Sequence, residues 1–259
     1  MAEPIADLLA RARNVLSSAE PFDAAKSTRR FIVGAPDGVS SVFLMPLLAL
    51  LRNRAPGIDI GLRQLLPPQG GQSVERAWTP LFAELEAGAM DIAVAPIDRA
   101  PPRFVAHTLY DEDFVVVVAR ARHPFAARPT LERFCQAQHL VVSMTGDPHG
   151  FVDEALARQG RARRVALTVP DFAMGLATVA ESDLIAAMPR RFVAMHAARL
   201  AVVSREVPLR LRTFSIRAAV PRVALMDAGL AWLFGVLREA VEGERGARDK
   251  RRAKVHAAR

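Results

Sequence analysis

Cysteine is nearly missing from this chain. A single one in 259 residues rules out a disulfide framework and any cysteine-rich zinc or iron–sulfur centre. Long apolar runs are missing too. The longest, Val42–Leu51, contains Pro46 and falls far short of the ~20 residues that span a bilayer. The first residues are acidic and helix-forming, with no basic start followed by an apolar block. A secretory signal is therefore not expected, no membrane contact is expected, and a soluble cytoplasmic protein is. Lysine is scarce before residue 245, where Lys26 stands alone and arginine carries the positive charge. Half of the residues are apolar (51%), enough for a real core and too many for disorder.

Catalytic signatures are also lacking. Asp147, Pro148 and His149 lie near Ser143 and Thr145, but no Gly-x-Ser-x-Gly elbow supplies the strained turn that a serine nucleophile needs. The six histidines are scattered, without His-Glu-x-x-His or other paired metal spacing. Gly70-Gly71 precedes no helix with a dinucleotide or phosphate-loop fingerprint. Cys135 sits on a partly apolar helical stretch and reads as a small packing residue. Neither enzymatic activity, nor a metal, nor a cofactor is expected.

The net charge of +8 is unevenly placed. Residues 245–259 hold Arg245, Arg248, Lys250, Arg251, Arg252, Lys254 and Arg259 against Asp249 alone, so the body before them is close to neutral. That basic end has no apolar period and is expected to be a solvated, disordered tail over 244–259, with salt-sensitive phosphate contact as the alternative.

The body alternates strand and helix signals. Residues 4–18 place Ile5, Leu8, Leu9, Ala12, Val15 and Leu16 on one helical face, with Pro4 in the first turn. The polar stretch Ser18–Arg30 reads as a linker. Phe31-Ile-Val-Gly-Ala35 is a buried strand ended by Pro36-Asp37-Gly38. A helix is expected from about Val42 to Asn53, capped by Ser40 or Ser41, and Ile58–Leu62 forms a second strand. Leu66–Gln72 is a loop, Thr79–Ala87 a helix and Asp91–Ala95 a third strand. Strand signals follow at Phe104–Leu109 and Phe114–Ala119, a helix near Thr130–Ala137 and a strand at Leu140–Ser143. A helix to about Gln159 comes next, then strand Val165–Val169, helix Phe172–Ala180, strand Leu184–Ala187 and helix Pro189–Met195. A late strand, Phe214–Ala219, precedes a last helix, Ala228–Glu242. Apolar strands buried on both faces and separated by helices predict an α/β fold with parallel sheets, in two lobes of similar size, the second inserted in the first. No internal sequence repeat stands out.

Several stretches carry a family resemblance: Phe31-Ile-Val-Gly-Ala-Pro-Asp37, Leu44-Met-Pro-Leu-Leu48, Arg54-Ala-Pro-Gly-Ile-Asp-Ile60 and Gly88-Ala-Met-Asp-Ile-Ala-Val-Ala95. Leu109-Tyr-Asp-Glu-Asp-Phe-Val-Val117, Arg122-His-Pro-Phe-Ala126, Ser182-Asp-Leu-Ile-Ala-Ala-Met-Pro189 and Asp227 followed by Trp232-Leu233 extend it. In this order they make the chain resemble the effector-binding domain of LysR-type transcriptional regulators. The resemblance implies a type 2 periplasmic-binding-protein fold, with two Rossmann-like lobes joined by crossover strands and preceded by a short linker helix. On that reading 1–29 is a remnant of the linker helix and linker, 30–108 with 209–243 the first lobe, and 109–208 the second. The family's winged helix-turn-helix has no counterpart here, and Met1 falls where the later part of its linker helix would be. A truncated regulator and a protein that kept only the sensor are both open readings. The stretch from Pro67 to Trp78 also looks longer than the family's usual link.

In an open α/β sheet, small molecules bind beyond the carboxyl ends of the strands, near helix N-termini. In two facing lobes that singles out Asp37, Gly38, Val39, Ser40 and Ser41 after the first strand, and Pro96 and Ile97 after the third. Across the cleft it singles out Met144, Thr145 and Gly146, then Pro170, Asp171 and Phe172. The resemblance puts polar effector contacts at positions matching Asp37, Val39, Ser40, Pro96 and Thr145. Where many relatives carry hydroxyls, this chain keeps only Ser40 and Thr145. A carboxylate at Asp37 implies an effector less anionic than a dicarboxylate, aromatic or largely apolar. The resemblance also implies a homodimer through Phe43–Leu51 and Ile58–Leu62, and DNA contact only through the winged helix-turn-helix that this chain lacks. The alternatives are a transport-type solute-binding protein and DNA binding by residues 245–259.

Overall fold

The computed structural model describes residues 22–66 and 78–257, with side chains through residue 243. The expected helix over 4–18 and most of the 66–78 link lie outside the described residues. Strand β1 (Arg30–Ala35) feeds helix α1 (Asp37–Arg54), and β2 (Asp59–Gln64) pairs with β1 in parallel. Helix α2 (Pro80–Glu86) leads to β3 (Ile92–Pro96), parallel to β1 on its other side. Strand β4 (Phe104–Glu112) then leaves this layer, and the chain returns to it only at β10 (Phe214–Pro221), which lies antiparallel between β3 and β4. The sheet order is β2-β1-β3-β10-β4.

The second lobe is built on the same plan. Strand β5 (Phe114–Val118) is flanked by antiparallel β8 (Ala186–Pro189) and β9 (Val203–Glu206), while β6 (Gln138–Val142) pairs in parallel with β7 (Arg164–Val169). A parallel bridge from His139 to Ile185, just before β8, joins the two pieces. Reading across that bridge gives β7-β6-β8-β5-β9, matching the first lobe position for position. Each lobe thus receives its fourth strand from the chain's passage through the other, and the crossovers are Glu112 to Phe114 and Glu206 to Phe214.

Burial follows the expected chemistry. Ile92–Ala95 and Val115–Val118 are buried throughout, as strands covered on both faces must be. In the first lobe one core lies between α1, the sheet and the closing helix α8 (Ala228–Ala257), where Phe31, Phe43, Leu47, Leu233 and Leu237 meet. A smaller one lies beneath α2, around Trp78, Phe82 and Ile97. In the second lobe, α3 (Pro124–Ala127), α4 (Leu131–Gln136) and α5 (Phe151–Ala157) cover one face. Helices α6 (Phe172–Ala180) and α7 (Arg190–Leu200) cover the other.

Some sequence expectations are corrected. Helix α1 begins at Asp37, five residues earlier than expected, with extended Pro36 at the N-cap and no side-chain cap. Ser40 and Ser41 therefore lie inside the helix. Their hydroxyls donate to the Asp37 carbonyl, each at 3.0 Å, and do not cap. The linker is not loose at its end: Phe22 stacks on Trp232 with ring centres 5.6 Å apart, and Arg29 grips Asp227 with two bonds of 2.7 and 2.6 Å. Strand β9 was not anticipated. The basic end, expected to be irregular, continues α8 as helix to Ala257. From Glu242 onward it is rich in Arg, Lys, Ala and Glu, free of proline, and helix propagates cheaply from an existing one.

Candidate functional site

The loops at the carboxyl ends of β1 and β7 meet between the lobes. Proline fixes the backbone at Pro36 in an extended shape and lacks an N–H, so α1 starts abruptly and aims Asp37 away from its own lobe. The Asp37 carboxylate accepts the backbone N–H of Phe172, the first residue of α6, at 2.6 Å. Burial pushes the Asp37 carboxyl above the usual range, and the Asp171 carboxylate adds to this against the opposing amide of Phe172. Gly38 faces the Phe172 ring so closely that an added Cβ would sit 3.0 Å from it and 3.5 Å from Pro189. Of the expected site residues, the fold brings together Asp37, Gly38 and Phe172.

The others are placed differently. Val39, in α1, and Ile97, just after β3, belong to the two first-lobe cores, at 8% and 2% exposure. Ser40 is buried, its hydroxyl occupied by the Asp37 carbonyl, and Ser41 is half-buried. Pro96 ends β3 opposite Ile216. Met144, Thr145 and Gly146 form an exposed turn, with Gly146 at a φ of 76° that favours glycine. The Thr145 hydroxyl accepts the Asp147 N–H at 3.3 Å and lies 3.4 Å from that of Ser143. Asp147 and His149 pair with each other at 3.3 Å on the open surface, an exposed loop contact and not a buried relay.

Two features at the crossovers were not singled out from the sequence. The first is an aromatic cluster: Phe114 meets Phe151 edge-on at 4.8 Å, Phe214 at 5.9 Å and Phe172 at 6.5 Å. Phe172 and Phe192 are 6.0 Å apart. These rings come from both crossovers and from the interlobe helix, and give the junction an apolar, aromatic wall. Their signal in the sequence was phenylalanine at the first residue of β5, β10, α5 and α6.

The second is a polar knot at the first crossover. Glu112 is buried and accepts the Arg191 N–H at 3.2 Å. Burial pushes its carboxyl up to about 7, with Arg191 opposing and Asp113 assisting. Asp113 holds Arg190 through two bonds of 2.7 and 2.8 Å, and Arg190 also reaches Glu206 twice at 2.7 Å. The Tyr110 hydroxyl is buried without a hydrogen-bond partner, its ring beneath the Arg191 guanidinium at 4.5 Å.

Among the described residues no group of three or more His, Cys, Asp and Glu side chains could hold a metal ion, and no helix is long and apolar enough to cross a membrane. The arrangement sets the Asp37 carboxylate of one lobe against the Phe172 amide of the other, beside a cluster of phenylalanine rings.

Comparison with known proteins agrees with this architecture. Residues 24–242 match the model of the LysR substrate binding domain. The chain is 31% identical over 243 residues to the HTH-type transcriptional activator NagR of Ralstonia sp, covering 90% of this chain and 74% of that protein. It is 31% identical over 193 residues to the HTH-type transcriptional activator NahR of Pseudomonas putida, covering 74% and 60%. The solved regulatory domain of MexT, a transcriptional activator in Pseudomonas aeruginosa, superposes with a TM-score of 0.69 at 28% identity, covering 83% of this chain and all of that one.

Proposed function

The chain belongs to the LysR substrate-binding domain family, and on that footing we propose that it senses a small-molecule effector between its lobes for a cytoplasmic transcriptional regulator. The observation that supports this most is the junction itself, where Asp37 and Gly38 of one lobe meet Phe172 of the other. A ligand that touches both sides there favours one relative placement of the lobes by its differential affinity. The effector class that fits is aromatic or largely apolar and at most weakly anionic. The Phe114, Phe151, Phe172 and Phe214 rings supply apolar surface, while the Asp37 carboxylate disfavours a second carboxylate beside it.

The readout is a homodimer. Phe43, Leu47 and Leu51 are spent on the lobe's own core, so the pairing surfaces are the outward face of α1 carrying Met45, 62% exposed, and edge strand β2 with Leu62 at 43%. DNA contact is assigned to a helix-turn-helix outside the residues of this chain. Calorimetry against a panel of aromatic monoacids, neutral aromatics and small dicarboxylates tests the reading. Micromolar binding of an aromatic ligand, weakened by Phe172→Ala, is expected. Tight binding of a dicarboxylate that Ser40→Ala abolishes overturns it. Light scattering showing a strict monomer at micromolar concentration removes the dimer.

A further inference from the structure

We propose that Asp37 is a built-in latch that holds the two lobes together when no effector is present. Four observations lead there. Helix α6 already has its own cap, since the Asp171 carboxylate accepts the Met174 N–H at 2.7 Å. That leaves the Phe172 N–H as a donor at the helix start without a partner in its own lobe, and Asp37 takes it from a position 135 residues away in sequence. At 2.6 Å, with an ionised acceptor, this belongs to the stronger class of hydrogen bonds. Gly38 then lets the first turn of α1 close onto the Phe172 ring and Pro189, where even an added Cβ would press on the ring at 3.0 Å. Finally, α1 begins with no side-chain cap of its own, so Asp37 is free to serve the other lobe.

The chemistry of the contact is that of a tethered anion. A bound effector that closed two such lobes would present an acceptor to the exposed amide of α6, where amide and helix dipole both favour negative charge. Here the protein supplies that acceptor itself. The contact is intramolecular, so its effective concentration is high and needs no ligand. An effector therefore resets an existing closed arrangement and does not create closure from an open one. Asp37 also excludes a ligand carboxylate from this amide, which makes it a specificity-determining residue.

The test uses the intact chain without effector, so its outcome is independent of whether the sensing role is correct. Amide exchange at Phe172 is read by NMR, and the distribution of molecular dimensions by small-angle scattering. In Asp37→Ala, the Phe172 amide is expected to exchange at least about tenfold faster and the radius of gyration to increase, while amides of β1 and β3 keep their protection. Asp37→Asn, which retains a neutral acceptor, is expected to fall between Ala and the native chain. Gly38→Val, which wedges the contact and leaves the carboxylate in place, is expected to reproduce the opening. Asp171→Ala is the contrast: it frees the Met174 amide but leaves the scattering unchanged. Native exchange at Phe172 and native dimensions in Asp37→Ala overturn the latch. If that variant fails to fold, the same native behaviour in Asp37→Asn and Gly38→Val overturns it.

Discussion

In the first lobe all five strands are hydrogen-bonded neighbours in one sheet, and the whole layer is clamped between apolar cores. In the second, the same five positions are filled, but the backbone pairing of β6 with β8 is reduced to the bridge from His139 to Ile185, beside a shared apolar core. Polar side chains stand behind that seam. Arg163, 3% exposed at its side chain, binds Asp153 through two bonds of 2.8 Å and donates to the His139 Nδ1 at 3.3 Å, while the His139 Nε2–H donates to the Phe134 carbonyl at 2.7 Å. Burial lowers His139 to about 4, so the ring is neutral at physiological pH and able to accept from arginine. One strand plan can thus be closed by a full set of hydrogen-bonded neighbours or by a single bridge backed by a buried polar network, and the second is the more breakable.

The largest expected effect follows from removing the centre of that network. Arg163→Ala leaves a half-buried carboxylate and an unpaired ring nitrogen, and is expected to cost about 3–5 kcal/mol. Urea denaturation measures the loss. Residue-resolved amide exchange should place it in β6 and β7, with β1 and β3 unaffected, and equal losses in both lobes would contradict the contrast drawn between them.

A somewhat smaller effect is expected at the crossover that belongs to both lobes. Glu112 binds its proton more tightly in the fold, at about 7, than in the unfolded chain, near 4.5. The stability this confers is complete below about pH 4.5, declines as pH rises and is gone above about 7, a span of about 3 kcal/mol. Glu112→Gln should flatten that part of the pH–stability profile, measured by denaturant midpoints at successive pH values. Next comes Asp227→Ala in the first lobe, which removes both the grip on Arg29 and the acceptor for the Leu230 N–H at the start of α8. A loss of about 1–2 kcal/mol is expected in thermal unfolding. The smallest change is expected for Arg54→Ala. Its paired bonds to Glu239, each 2.6 Å, lie on the open surface, where ion pairs contribute little and salt screens them. A shift in melting temperature as large as that of Asp227→Ala would show that the link between α1 and α8 matters more than its exposure implies.

Much of the fold was legible because it is periodic. Helix α6 lies where its sequence pattern put it, and β1 and β3 within a residue or two, since a short apolar run between turn residues has few other uses. Strand β9 was missed because Val-Ser-Arg-Glu is short, mostly polar and partly exposed, so neither length nor burial marks it. The early start of α1 was missed because Pro36-Asp37-Gly38 is good turn chemistry, and here extended Pro36 stands directly before the helix. Of the site, the loops could be located by topology alone, but not their partners. Asp37 was expected to face a ligand, and what it faces is an amide in the other lobe, a choice made by lobe packing that leaves no mark on its sequence neighbours. The matching strand plans were equally hidden, because a shared backbone route needs only shared burial and not shared residues.

The exchange of strands between the lobes has a consequence for how the protein is made. Synthesis delivers every strand of the second lobe, β5 through β9, by Glu206, so that lobe can assemble while still attached to the ribosome. The first lobe cannot: β4 reaches its sheet only through β10, which emerges after Phe214. Until then its earlier half must wait with an open edge along β3, and that interval is when a nascent chain of this kind most needs shielding from its neighbours.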